Sequence, residues 1–154
     1  MQEWPVEEKG FRAMSESVSG SCQCASVRFR IDGAFDGFFL CHCSRCRKDT
    51  GSAHAANAFS STARLTWLVG GDEVRTFIVP GTRHQRSFCP SCGSGLPGLH
   101  AERALLVVPV GCLDTPFARR PDAHIFFASR AEWDSHLETL PRFDALPPPG
   151  RDVR

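Results

Sequence analysis

The stretch Cys41-His42-Cys43-Ser44-Arg45-Cys46 combines two metal-binding spacings, C-x-C and C-x-x-C, which share Cys43. Three thiolates can converge on one ion from this segment, which leaves a fourth coordination position for water or a substrate. Cys112 stands alone in an apolar run, so it is either a fourth ligand that closes this site or a free thiol in the core. His42 points to the opposite face of an extended segment, where packing or support of the ligands is the expected role.

Two further cysteine pairs lie on either side of this stretch. Cys22-Gln23-Cys24 can present both sulfurs to one side of a curved strand, and a disulfide within so short a spacing would be strained. Cys89-Pro90-Ser91-Cys92-Gly93 is a zinc knuckle, in which the glycine accepts the positive φ after the turn. Together the pairs predict a closed site with four sulfur ligands. A redox C-x-x-C and one cluster of all seven cysteines are the alternatives.

Length and composition suit a single domain and exclude several classes of partner. Of 154 residues, 42% are hydrophobic and 23% are charged, which is an ordinary globular balance. A net charge of +1 without a basic and aromatic patch argues against nucleic acid, and no apolar segment is long enough to span a membrane. Residues 1–17 contain no apolar run, so no signal peptide is expected. Eight cysteines then favour metal binding in a reducing, cytoplasmic compartment.

Short strands and turns are predicted along most of the chain. Glycine and proline are frequent, and the chain has 12 phenylalanines and no tyrosine, a mix that favours strands and turns over long helices. Val27, Phe29 and Ile31 alternate with arginines, the pattern of a half-buried strand. Further strands are predicted over residues 38–40, 53–60, 65–69, 74–79, 85–88, 105–110 and 124–128. The strands on either side of Gly70-Gly71-Asp72 are expected to form a hairpin.

One short helix is predicted near the C-terminus, over residues 131–140. Ser129 is its expected N-cap, and Glu132 three residues later completes a capping box. Three apolar residues share one face of this helix: Trp133, Leu137 and Leu140. Residues 47–52, by contrast, are interpreted as a turn.

The domain organisation follows from these patterns. We expect a flexible N-terminal arm over residues 1–18 and a single zinc-binding domain over residues 19–144. The proline-rich residues 145–154 are predicted to form a disordered tail.

Five segments resemble the glutathione-dependent formaldehyde-activating family: SCQCASVRF, CHCSRCRKDTGS, FCPSCGS, GCLDTP and a late W-x-x-H. The resemblance runs from about Gly20 to about Phe143 and implies an Mss4-like fold of several coiled antiparallel sheets, which agrees with the mainly β prediction. It implies a structural zinc at one set of residues: Cys22, Cys24, Cys89 and Cys92. It implies a second, catalytic-type zinc at another: Cys41, Cys43 and Cys46. Ala25 stands where the family usually has glycine.

The activity implied by the resemblance joins glutathione to formaldehyde as S-hydroxymethylglutathione, the reaction of a carbon–sulfur lyase or synthase. Zinc would stabilise the glutathione thiolate, which attacks the aldehyde carbon. Arg45, Arg47 and Lys48 are candidate anchors for the two glutathione carboxylates. His54 is a candidate proton donor to the developing alkoxide.

Two other functions stay open on the sequence alone. A zinc ion that bears three thiolates is a weak Lewis acid, so the chain could be a non-enzymatic module that binds zinc and glutathione or another small thiol. A zinc-ribbon-like interaction protein is the second alternative. Two zinc ions per chain are expected, and the three-ligand ion is the one more easily lost. Cys43 and Cys46 would then be free to form a disulfide.

Overall fold

The structure is a computed structural model that describes residues 17–147, 149 and 150. In this part of the chain the fold is mainly β, with eleven strands in three sheets and one α-helix, α1 (Ser44–Thr50). The strands are β1 (Ser17–Ser21), β2 (Arg28–Asp32), β3 (Gly37–Cys41), β4 (Ala55–Ser60), β5 (Arg64–Val69), β6 (Arg75–Ile78), β7 (Gln85–Phe88), β8 (Gly95–Leu96), β9 (Gly98–His100), β10 (Leu105–Pro109) and β11 (Ala123–Ile125).

Parts of the predicted domain organisation lie outside the described residues. Of the predicted arm over residues 1–18, only Ser17 and Val18 are described, and both belong to β1. In the predicted tail, residues 148 and 151–154 lie outside the description as well. Among the described residues, no helix has the length and apolar character needed to cross a membrane.

The first sheet has the strand order β1-β2-β5 and is antiparallel throughout. The predicted alternation in β2 is confirmed, because Phe29 and Ile31 are fully buried while Arg28 and Arg30 are exposed. The Phe29 ring packs edge-on against Trp67 of β5, with centroids 5.9 Å apart. The face of this sheet that carries Phe29 and Ile31 therefore packs in the main hydrophobic core.

The second sheet has the order β11-β3-β4-β10-β9 and positions the central cysteine stretch. Cys41, the last residue of β3, pairs with Ala55 of β4 on one side and with Ile125 of β11 on the other. β11 runs parallel to β3, and the His42 backbone N–H donates to the Ile125 carbonyl at 3.0 Å. The cysteine stretch and the segment after Ile125 therefore leave the sheet at the same end.

The third sheet, β6-β7-β8, shows that the predicted hairpin around residues 70–72 is wrong. Both strands exist, but β5 pairs with β2 and β6 pairs with β7. The intervening turn does form, with the Glu73 N–H bonded to the Gly70 carbonyl at 3.1 Å. Gly70 has φ +64° and lies so close to Ser26 that a Cβ there would be 2.3 Å from the Ser26 carbonyl oxygen. The chain thus turns tightly at Gly70 and passes from one sheet to another.

Helix α1 occupies most of the segment that the sequence analysis interprets as a turn, so that interpretation is wrong for residues 47–50. The Cys43 sulfur caps the helix by accepting the Cys46 backbone N–H at 3.4 Å. Thr50 donates its hydroxyl to the Cys46 carbonyl at 2.9 Å, and Gly51, with φ +63°, ends the helix. A cysteine N-cap lies outside the usual capping residues, which is why the sequence pattern does not reveal this helix.

The predicted C-terminal helix over residues 131–140 is also wrong. The chain forms two 3₁₀ turns instead, Glu132–Asp134 and Leu137–Thr139, separated by His136 with φ +58°. The first turn begins after Ala131, and no side chain caps it, so the capping box with Ser129 does not form. The apolar residues of the predicted face are exposed: Trp133 63%, Leu137 41% and Leu140 57%. An amphipathic helix needs an apolar surface to pack on, and none covers this face among the described residues.

Two hydrophobic clusters divide the cysteines between them. The main core holds Cys22 and Cys89 among these buried residues: Val18, Val27, Phe29, Ile31, Phe35, Phe38, Ala58, Leu96, Leu106 and Val108. A smaller cluster holds Cys41 and Cys46 with Ala55, and Cys43 and Ile125 pack against it. The fold thus separates the outer cysteine pairs from the central stretch.

Candidate functional site

The two outer cysteine pairs meet in one group. The sulfurs of Cys22, Cys24, Cys89 and Cys92 all lie within 4.8 Å of one another. Those of Cys22 and Cys24 are 3.5 Å apart, and those of Cys24 and Cys89 are 3.9 Å apart. Zinc bonds to sulfur of about 2.3 Å in a tetrahedron place neighbouring ligand sulfurs about 3.8 Å apart. The four donors therefore suit such an ion with little movement.

Both loops of this group contain a residue in the left-handed region. Ala25 has φ +59° and Gly93 has φ +74°. The Ala25 N–H donates to the Cys22 carbonyl at 2.9 Å, and the Gly93 N–H donates to the Cys89 carbonyl at 2.8 Å. Glycine adopts this conformation freely, whereas a Cβ costs about 1 kcal/mol. This geometry favours glycine at position 25, where the chain has Ala25.

Hydroxyl and backbone donors favour thiolates at Cys22 and Cys92. At Cys24 the Ser26 donors act to lower the pKa, but the neighbouring Cys22 and Cys92 thiols outweigh them and raise it. The Ser94 hydroxyl, 3.3 Å from the Cys92 sulfur, is the main cause that lowers the pKa of Cys92 to about 5. Burial acts to raise the pKa of Cys22, but the Val27 N–H at 3.3 Å and the Ser26 hydroxyl outweigh it, and the pKa is lowered. Thiolate sulfur is the form that binds zinc, so these donors prepare the group for a metal ion.

The central stretch forms a second group of three sulfurs. Cys41 ends β3, Cys43 precedes α1 and Cys46 lies in its first turn, and their sulfurs are within 4.8 Å of one another. Cys41 and Cys46 are 6% and 8% exposed, while Cys43 is half-buried. In the described part of the chain, no fourth histidine, cysteine or carboxylate joins them. The donor set suits a metal ion with one open position.

The three thiols differ in their acidity. Burial raises the pKa of Cys41 and of Cys46. Burial acts the same way on Cys43, but the Cys46 backbone N–H and the neighbouring thiols outweigh it and lower the Cys43 pKa. Without a metal, Cys43 is therefore the residue that carries a thiolate most readily.

Cys112 lies apart from both groups. It is a free cysteine whose thiol donates to the Pro109 carbonyl at 2.9 Å, and it packs against the main core. Burial raises its pKa to about 12. Of the two roles open on the sequence, the geometry favours a core thiol over a fourth ligand.

The candidate anchor residues lie on α1, next to the three-sulfur group. Arg45 and Lys48 are exposed, whereas Arg47 is half-buried. The Arg47 Nε is buried and has no hydrogen-bond partner among the described residues. Of the three, Arg47 is the donor that most needs an acceptor, because an unmade bond at a buried charged group costs about 1–3 kcal/mol or more.

A cavity of about 600 Å³ runs from the four-sulfur group to the C-terminal end of α1. Thr50, bonded to the Cys46 carbonyl, and Ala55, paired with Cys41, are among its lining residues, although no member of the three-sulfur group lines it. Its polar lining includes Asn57, Gln85, Arg86, Ser94 and His100. Arg86 is paired with the Asp49 carboxylate at 3.2 Å, so its charge is largely offset. Arg86 belongs to the basic residues near the cysteines, but no sequence motif predicts that the other polar residues line a cavity.

His54 lies on the other side of the central stretch from the sulfurs of the three-sulfur group. Its ring packs 5.2 Å from that of His42, and both converge with Asp134. His42 is 1% exposed, and burial lowers its pKa. The alternation of His42 with Cys41 and Cys43 correctly indicates that His42 faces away from the sulfurs. No motif points to Asp134 or to His124, which is hydrogen-bonded to His42 at 2.8 Å.

Three small sheets around two separate cysteine groups, one of four sulfurs and one of three, define a mainly β protein with clusters suited to metal ions. The sequence profile described as "Glutathione-dependent formaldehyde-activating enzyme" matches residues 17–129, and the chain belongs to this family.

Two relatives support the assignment. A curated protein of Halomonas elongata that carries the name of the same family is 30% identical over 126 residues, which cover 75% of this chain and 78% of the relative. The crystal structure of a Rhodobacter sphaeroides protein superposes with a TM-score of 0.51 at 22% identity, over 69% of this chain and 98% of that one. At this level of identity, the second likeness concerns the fold alone.

Proposed function

We propose that the protein is a zinc-dependent carbon–sulfur lyase or synthase that interconverts glutathione plus formaldehyde with S-hydroxymethylglutathione. In the synthetic direction the glutathione sulfur bonds to the aldehyde carbon, the carbonyl π bond opens, and the thiol proton ends on the former carbonyl oxygen. Family membership supports this pair of substrates. The observation that carries the proposal is the three-sulfur group with an open fourth position.

The three cysteines divide the task of holding the ion. Cys41 and Cys46 are buried and would hold the ion against the small hydrophobic cluster, while Cys43, half-buried at the start of α1, would be its most accessible ligand. Zinc bound by these three residues would supply positive charge that stabilises the thiolate of glutathione. The four-sulfur group has no open position and holds the first and third sheets together, so its proposed zinc is structural.

Glutathione would be held by charge and by the polar cavity. Arg47 offers its buried, unpartnered Nε to one carboxylate, and Arg45 and Lys48 add positive charge on the exposed side of α1. The cavity of about 600 Å³ behind Thr50 and Ala55 offers room for the peptide part of the ligand. A role for His54 in protonating the alkoxide stays a prediction.

A module that binds zinc and glutathione without turnover is the second candidate function. The placement of His54 favours it, because the Nδ1 atom converges with His42 and Asp134 rather than with the sulfurs. Three thiolates also leave the proposed zinc a weak Lewis acid. In either function, free thiols throughout the chain fit the predicted cytoplasmic location.

The decisive experiment measures the exchange between glutathione and its formaldehyde adduct by NMR, with and without reduced, zinc-loaded protein. We expect exchange above the uncatalysed rate for the natural sequence and its loss in Cys43→Ser, which keeps a side chain able to cap α1. Binding of glutathione without faster exchange would establish the module instead. No binding and no acceleration would reject both functions.

A variant of the proposed anchor separates binding from turnover. Arg47→Gln removes one charge-assisted hydrogen bond, so glutathione should bind about tenfold more weakly. Arg28→Gln, on the exposed face of β2, is the matched control and should bind normally. Equal affinities in the two variants would exclude Arg47 as an anchor.

A further inference from the structure

Three buried polar atoms converge on the face of the central stretch that points away from the sulfurs. They are His42 Nδ1, His54 Nδ1 and Asp134 Oδ2, and these three residues each offer a ligand atom within 4.8 Å of the others. None has a hydrogen-bond partner among the described residues. The side chains of His42 and Asp134 are only 2% and 9% exposed. Buried polar atoms are normally satisfied, so three together require an explanation.

Hydrogen bonds within the group do not supply that explanation. His42 Nδ1 and Asp134 Oδ2 are 3.0 Å apart and interact directly, but their alignment is poor for a hydrogen bond, and this pair leaves the buried Nδ1 of His54 without a partner among the described residues. Two ligands of one tetrahedral zinc, with bonds of about 2.0–2.2 Å, lie about 3.3 Å apart, and their lone pairs point at the ion rather than at each other. The separation and the orientation of these two atoms therefore resemble those of two ligands that bind the same metal ion.

We propose that His42, His54 and Asp134 form a binding site for a divalent transition-metal ion, separate from both cysteine groups. Two imidazoles and one carboxylate are a donor set typical of zinc and of non-haem iron(II), whereas calcium and magnesium prefer oxygen ligands alone. The site needs only small movements of three side chains that already face one point.

A neighbouring histidine fixes the orientation that this site requires. His42 Nε2 and His124 Nδ1 are 2.8 Å apart, so one ring nitrogen of His42 is engaged in a hydrogen bond. In the tautomer in which His42 Nε2 donates to His124, the Nδ1 lone pair of His42 is free for a metal ion. The Phe127 ring, edge-on to His42 with centroids 5.2 Å apart, limits rotation of the imidazole further.

The site has room for an exogenous ligand. A cavity of about 390 Å³ opens over the three residues and is also lined by Arg130, Ser135 and Leu137. Three protein ligands that face an open cavity leave at least one coordination position for water or a small molecule. The Arg130 guanidinium lies 4.4 Å above the Phe127 ring, where its charge favours an anionic ligand.

The site and the three-sulfur group share a backbone but face opposite ways. His42 lies between Cys41 and Cys43 in extended chain, so its side chain projects from the reverse face. The proposed ion therefore lies on the face opposite the three sulfurs, and its site would use His54 as a ligand instead of as the proton donor of the reaction with glutathione.

Cobalt titration of the reduced, full-length protein tests this proposal without any assay of activity. Cobalt bound to thiolates has intense sulfur-to-cobalt charge-transfer bands, and cobalt bound to nitrogen and oxygen lacks them. We expect a third equivalent of cobalt per chain that adds only weak ligand-field absorption. Saturation with sulfur-bound cobalt alone would overturn the proposal.

Variants then assign the third equivalent. Asp134→Asn and His54→Gln should each lose it and keep the charge-transfer bands of the sulfur sites. The matched control is His84→Gln, which alters another histidine–carboxylate pair, with Asp49 at 3.4 Å, and should keep all the metal. A third equivalent that survives both site variants would refute the assignment.

A measurement on the natural sequence remains decisive if the variants do not fold. Cadmium-113 NMR separates sulfur-ligated cadmium from cadmium ligated by nitrogen and oxygen. A resonance of the second kind, with matching shifts of the histidine ring signals, is the expected result. Its absence at saturating cadmium would refute the site.

Discussion

The two cysteine groups differ in how the chain assembles them. The four-sulfur group joins loops that follow β1 and β7, in different sheets, and two of its members are among the most buried residues of the main core: Cys22 at 2% and Cys89 at 0% exposure. The three-sulfur group comes from residues 41–46 alone and belongs to a small separate cluster. Metal loss at the first group would release tertiary structure, whereas loss at the second would affect one seven-residue helix and its flanks.

The largest expected effect is that of Cys89→Ser, which removes a buried ligand from the four-sulfur group. Structural zinc contributes about 10–16 kcal/mol of apparent binding free energy in small zinc domains, more than most domains have as net stability. We therefore expect the variant to lose zinc and its native fold at 25 °C. Circular dichroism and zinc analysis of the reduced protein test this.

Cys43→Ser completes the comparison. It should also lose one metal ion per chain, but its free energy of unfolding should fall far less than that of Cys89→Ser, because serine still caps α1 and the ligands of the lost ion all come from residues 41–46. Equal destabilisation by the two variants would contradict the distinction between a tertiary and a local site.

Cys112→Ser tests whether the lone cysteine belongs to either group. We expect unchanged metal content, since its thiol bonds to the Pro109 carbonyl. Burial raises the folded-state pKa from 9.0 to about 12, so between these values the unfolded thiol ionises while the folded one does not. The free energy of unfolding should therefore fall with rising pH in this window, by at most about 1.4 kcal/mol per pH unit.

Serine does not ionise in this pH range, so the free energy of unfolding of the variant should lack the part of the pH dependence that comes from Cys112. Urea unfolding of both proteins at about pH 8 and pH 10 gives the difference directly. Parallel pH profiles would mean that the thiol is ionised or exposed in the folded state, and loss of metal would place it at a site after all.

Ala25→Gly is the smallest expected effect. Removing the Cβ at φ +59° should raise the free energy of unfolding by about 1 kcal/mol, and it should tighten zinc binding at the adjacent four-sulfur group. Ala104→Gly, at φ +47° and away from the cysteine groups, is the matched control that should stabilise without any change in zinc affinity. A destabilised Ala25→Gly would show that the backbone there is unstrained.

The spacing of the cysteines predicts which sulfurs can meet, because short C-x-C and C-x-x-C segments leave little conformational choice. The alternation around Phe29 likewise predicts β2, since burial on one face follows directly from a period of two residues. The hairpin at Gly70 fails because partners elsewhere decide the pairing of β5 and β6.

Two other failures concern the competition between local and distant contacts. Helix α1 depends on a sulfur cap, which capping statistics do not include. Residues 131–140 have a helical pattern, yet Asp134 is paired with His42, and no surface within residues 17–147 covers the apolar face. The convergence of His42, His54 and Asp134 requires the parallel pairing of β11 with β3, which no local pattern contains.

The parallel pairing of β11 with β3 also affects the order in which the cysteine groups can form during synthesis. A ribosome releases residues 41–46 before Cys92, and both before β11 and Asp134. Until β11 arrives, Ile125 is missing from the small cluster around Cys41 and Cys46, so these thiols lack part of their cover. We expect the nascent protein to be most vulnerable to oxidants during this interval, and an early supply of metal to protect it.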